Sequence, residues 1–210
     1  MSNILLNLGI RPIVLNYFLP YLGILTENSA VFPYYTGDDV QDHEIFQKGK
    51  YSIPNCQAIW TAYPISSPAV RQHFLFYSAL ESLCYFSLHT EWMSCSDSIG
   101  VSAVGLSPEP SQIVRLCATF PNAKLHLGFG NDLTGQVMDC QVPLWLKRKY
   151  WQFSYHKGLL YINSGQRTFS IAAEKFSCKT LLGTGSTRHF KKEKPRGGFT
   201  SFYEQLRYGN

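Results

Sequence analysis

The chain has 210 residues, 45% of them hydrophobic and 16% charged, which excludes a disordered polyelectrolyte and allows one sizeable core with a smaller appendage. Its net charge of +5 is unevenly spread: residues 1–140 carry six Lys/Arg against eleven Asp/Glu, a net of −5, and residues 141–210 carry thirteen against three, a net of +10. No stretch approaches the ~20 apolar residues of a membrane-spanning helix. The opening Met1–Leu6 lacks the positive n-region of a signal peptide, so the expected setting is cytoplasmic with no membrane partner. Six cysteines without a C-x-x-C pair argue against a zinc knuckle, and in that setting they are expected to stay free.

Taken in chain order, Ile4, Leu5 and Leu8 recur at helical spacing until Gly9 ends the run, and Pro12 opens a second short helix through Val14, Leu15, Phe18 and Leu19. From Ala30 to Gln57 the texture turns to short β runs around a Gly37-Asp38-Asp39 turn. Phe74–Tyr77 then reads as a strand. Ser78, with Glu81 three residues on, is a capping-box pattern opening a helix through Leu88. Val101–Val104, the helix Pro110–Phe120, the strand Ala123–Phe129 and a helix opened by Gly130-Asn131-Asp132 follow. This strand–helix alternation calls for an α/β fold with a parallel sheet and helical crossovers. Three further strands are expected at Tyr150–Tyr155, Leu159–Ile162 and Arg167–Ile171, then a Gly-rich basic stretch and a short helix over Thr200–Leu206. The division this implies is an N-terminal helical and β segment (1–69), an α/β core (70–146) and a basic, β-rich C-terminal part (147–210).

Two motifs carry a resemblance. Tyr77-Ser78-Ala79-Leu80-Glu81-Ser82-Leu83-Cys84-Tyr85 follows the first core strand, and Phe129-Gly130-Asn131-Asp132-Leu133-Thr134-Gly135 follows the third. Over roughly residues 70–145 they resemble the Toprim domain, in the branch associated with mobile-element primases and relaxases. The resemblance implies a Toprim-like sheet and a magnesium site. That site is built from a Glu at the end of the first strand and two Asp after the third. Here Tyr77 stands at the Glu position and Gly130 at the first Asp position, leaving Asp132, with Glu81 one helical turn past the strand tip. Glu81 and Asp132 are therefore the candidate metal residues, and the cofactor expectation is none, or a weakly bound magnesium ion. A phenol with a pKa near 10 is a poor base at neutral pH, so the expected protein is catalytically impaired.

The basic tail points to a polyanionic partner. Lys147, Arg148 and Lys149 adjoin Tyr150 and Trp151, the pairing of charge and aromatic faces that single-strand binders use. Arg188, Lys191, Lys192, Lys194 and Arg196 form a second run suited to phosphate contacts. DNA or RNA is the expected partner. Two other readings compete with it. One is an active magnesium-dependent nuclease or primase. The other is a protein-interaction scaffold of a replication, transfer or defence system, touched through the acidic first two-thirds of the chain.

Overall fold

The computed structural model describes residues 3–64, 66–178, 181 and 190–209. The chain opens with helices α1 (Ile4–Leu8) and α2 (Pro12–Phe18). Asn3 caps the first, its side chain accepting from the Leu5 and Leu6 amides at 3.1 and 3.0 Å, and Gly9 closes it at φ 105°. Strands β1 (Ile24–Leu25), β2 (Ser29–Thr36), β3 (Asp39–Gln47) and β4 (Lys50–Ser52) form an antiparallel sheet in that order.

The second sheet carries the fold. Strands β5 (Trp60–Ala62), β6 (Gln72–Phe76), β7 (Ile99–Ala103), β8 (Lys124–Leu127) and β12 (Phe190–Lys192) lie in the order β12-β8-β6-β7-β5. Three neighbouring pairs are parallel, whereas β5 runs antiparallel to β7. The sheet is thus mixed. Between its parallel strands run α3 (Ala79–Leu88), a 3-10 stretch over Thr90–Ser98, α4 (Pro110–Thr119) and α5 (Leu133–Leu146). Both edge strands come from outside residues 70–146. A three-stranded antiparallel sheet of β9 (Gln152–His156), β10 (Leu159–Asn163) and β11 (Thr168–Ala172) follows α5, and α6 (Phe202–Tyr208) ends the fold.

β6 is buried on both faces, as a central parallel strand must be. Phe74 and Phe76 point to a cluster with Phe18, Phe32, Trp60, Phe86 and Phe202. Leu75 points to the other face, toward Ile113, Leu127, Met138 and Trp145. The first cluster glues the N-terminal helices, α3 and α6 to the sheet, and the second does the same for α4, α5 and β10. All six cysteines are free thiols. Among the described residues no helix is long and apolar enough to cross a membrane.

Candidate functional site

In the sheet order, β6 leads through α3 to β7 on one side, and β8 lies on its other side. The crevice between the carboxyl ends of β6 and β8 is therefore the place where open α/β sheets hold ligands. Here the chain fills it with its own groups. Glu44 of β3 is fully buried at the N-terminus of α3. It accepts from the Ala79 and Leu80 amides at 2.8 and 2.9 Å, the Ser78 hydroxyl at 2.8 Å, and the phenols of Tyr34 and Tyr51 at 2.7 and 3.1 Å. A helix N-terminus is a ready anion site, and an internal carboxylate occupies this one. Burial nonetheless keeps the Glu44 carboxyl above the usual carboxylate range, against the pull of those donors.

Glu81 does not complete the capping box expected from Ser78. Ser78 does cap α3, accepting from the Glu81 amide at 3.1 Å. The Glu81 carboxylate instead reaches across to the start of α6, accepting from the Phe202 and Tyr203 amides at 2.8 and 3.2 Å. Burial pushes its pKa up to about 7, opposed by these amide bonds. Asp132 caps α5, accepting from the Gly135 amide at 2.7 Å. The segment 193–201 runs as a strap across the crevice. The Asn131 amide donates to the Thr200 carbonyl at 2.8 Å, and the Asn131 side chain to the Pro195 and Phe199 carbonyls at 2.8 and 3.0 Å. A Cβ on Gly130 would lie 2.5 Å from the Thr200 carbonyl oxygen. The strap thus leaves no room for the side chain that the resemblance expects at this position.

Beneath the strap, a lysine ammonium is held by oxygens at the tip of β8. The Lys194 ammonium donates to the carbonyls of Phe129 and Gly130 at 2.9 and 2.8 Å and lies 2.9 Å from Asp139 Oδ2. Lys192 approaches the same oxygen at 3.7 Å. Burial still holds the Asp139 carboxyl above its ordinary range, and its Oδ1 has no hydrogen-bond partner among the described residues. The donor set does not fit magnesium as it stands. Both Glu81 oxygens accept amide hydrogens, Asp132 is a helix cap, and no group of three or more His, Cys, Asp or Glu among the described residues is placed to hold a metal. Tyr77, at the tip of β6, donates its phenol to the Thr134 carbonyl at 3.2 Å, and burial drives its pKa far upward.

The basic residues fall into two groups. Lys147, Arg148 and Lys149 are exposed on the turn that closes α5. Arg148 takes a left-handed φ of 57°, its amide donating to the Trp145 carbonyl at 2.8 Å while that of Lys149 donates to Leu144 at 2.9 Å. Tyr150 beside them is 61% exposed, and Trp151 packs edge-on against Phe169 with ring centroids 6.4 Å apart. In the second run, Lys191 pairs with Glu193 at 2.9 Å, Lys192 and Lys194 turn inward to Asp139, and Arg196 is exposed. Arg188 and residues 183–187 of the Gly-rich stretch lie outside the described residues.

Two features carry no local sequence signal. His126 of β8 bridges Glu193 Oε1 at 2.8 Å and Gln72 Oε1 at 2.7 Å, an arrangement that exists only because β12 pairs with β8. The second is a cleft of about 250 Å³ between α5, the β7–α4 loop and the sheet β9–β11, lined by Tyr77, Gln141, Trp145, Phe153 and Tyr155 among others. A larger, open groove of about 1110 Å³ lies at the far end of α3, along α1 and α6, away from the strand tips. A scan of the chain against protein-family models gives no match, and a search of curated proteins gives none either.

Proposed function

We propose that this chain is a nucleic-acid-binding protein built on a Toprim-like sheet that has given up phosphodiester chemistry. One contrast carries the reading: the carboxylates at the strand tips are consumed as internal helix caps, whereas Lys147, Arg148 and Lys149 lie on an exposed turn beside Tyr150. A carboxylate that caps a helix holds its oxygens toward amides and away from a cation. An exposed cationic turn beside an aromatic ring suits a flexible polyanion with bases to stack. The parallel order of β6, β7 and β8 with its helical crossovers supports the Toprim-like frame, and the mobile-element setting comes with the resemblance.

The test is binding to labelled single- and double-stranded DNA and RNA across a salt series, with magnesium and with EDTA. The expected result is an affinity that falls steeply with salt and is indifferent to magnesium. No binding at low salt overturns the reading. Magnesium-dependent cleavage or primer synthesis that disappears in Asp132→Ala replaces it with the nuclease or primase reading.

A further inference from the structure

The cleft beside α5 has a specific construction. In the sheet β9–β11, Leu160 stands opposite Tyr155 and Ile171, and Ile162 opposite Phe153 and Phe169, so these six side chains share one face. Leu160 and Ile162 are buried in the cluster that includes Met138 and Trp145 of α5. Toward Tyr155, which is 61% exposed, the sheet stands off from the helix and the gap is the cleft. Tyr77, just past β6, and Leu106–Pro108, in the loop after β7, also line it, so the cleft reaches the carboxyl ends of these strands.

We infer that this cleft receives one unpaired base of a single-stranded nucleic acid, whose neighbouring phosphates lie on Lys147, Arg148 and Lys149. The inference rests on the nucleic-acid reading above and deepens it. Three observations select this occupant. Aromatic rings line the cleft from both sides, Trp145 from the helix and Phe153 and Tyr155 from the sheet, and every base offers a π-face to such rings. The Gln141 carboxamide and the Ser107 hydroxyl also line it and have no hydrogen-bond partner among the described residues; they offer a donor and acceptors to a base edge. Among the described residues no Asp or Glu lines the cleft, and the cationic turn is fastened to its wall, since the Arg148 amide is bonded to the Trp145 carbonyl. At about 250 Å³ the space suits one planar ring system.

The experiment compares three labelled probes by fluorescence anisotropy: an oligothymidine strand, a strand of equal length with abasic sites, and the corresponding duplex. Wild-type protein is expected to bind the base-bearing strand most tightly. Tyr155→Ala removes an exposed ring, so folding is retained and is checked by circular dichroism. It is expected to weaken the base-bearing strand about tenfold, the scale of one lost stack, and to leave the abasic strand and duplex unchanged. Gln141→Ala is expected to weaken the same probe alone. The inference is overturned if base-bearing and abasic strands bind equally, or if Tyr155→Ala weakens all three probes alike. In both cases salt-dependent binding itself survives. Failure of the wild type to bind any probe at low salt removes the nucleic-acid reading, and the cleft assignment falls with it.

Discussion

The Lys194 ammonium and the Asp139 carboxylate meet at 2.9 Å beneath the C-terminal strap, with Asp139 only 2% exposed. Two backbone carbonyls at the tip of β8 complete the lysine's shell. A cation tethered to the chain is thus held by oxygens at the end of the sheet where ligands usually bind. The pair joins α5 to the strap, so it also holds the crevice shut.

Removing the cation leaves a buried carboxylate with, among the described residues, only Lys192, at 3.7 Å, to answer it. Lys194→Met is expected to destabilise the fold by about 3 kcal/mol, measured by urea unfolding. Lys194→Met combined with Asp139→Leu should recover much of that loss, since the unpaired charge is then gone. If the double variant is as unstable as the sum of the singles, the pair contributes through packing and not through charge.

Glu81 makes stability depend on pH in a definite direction. Its folded-state pKa is raised from 4.5 to about 7 by burial, so between those values the unfolded chain releases the proton and the folded protein keeps it. Stability falls as pH rises through this window and levels off above it. The Glu81 share is at most about 3 kcal/mol. Wild-type protein should lose stability between pH 5 and pH 7.5 relative to Glu81→Gln at the same two values. Parallel curves for the two proteins would show that Glu81 is ionised throughout.

Restoring the carboxylate that the resemblance expects should fail for steric reasons. Gly130→Asp puts a Cβ 2.5 Å from the Thr200 carbonyl oxygen, and the strap must move. A loss of about 2 kcal/mol is expected, together with faster proteolysis within residues 193–201. Unchanged protease resistance would show that the strap accommodates a side chain without opening.

The exposed turn after α5 should set the salt response. Lys147→Gln with Lys149→Gln leaves Arg148, whose left-handed φ of 57° shapes the turn, in place. The pair should lower the slope of log affinity against log salt by about 1.4 for single strands if each lysine neutralises one phosphate. Folding stability should stay within about 0.5 kcal/mol of wild type. An unchanged slope would move the contact away from this turn.

Much of the local architecture was legible in the residues. Ser78 and Asp132 cap the helices they precede, and the apolar periods placed β6, β7, β8, α3, α4 and α5 to within a few residues. Caps and periodicity act over one or two turns, so a sequence window contains all that decides them. The edge strands were not legible. β5 and β12 have three residues each, too short for a period, and β12 lies in a run whose lysines read as phosphate contacts.

The candidate site divides along the same line. The sequence by itself determined that Tyr77 and Gly130, not carboxylates, follow β6 and β8 and that a cationic, aromatic run follows α5, because both are matters of which residues stand where. Only the tertiary structure decided what the remaining carboxylates do. Glu81 finds its amide donors 121 residues away in α6, and Glu44 reaches α3 from 35 residues upstream. Gly130 and Thr200 meet only because the strap crosses β8. A buried carboxylate accepts whichever donors the fold brings within about 3 Å, and no local sequence rule names a partner that arrives from another sheet or from the chain's far end.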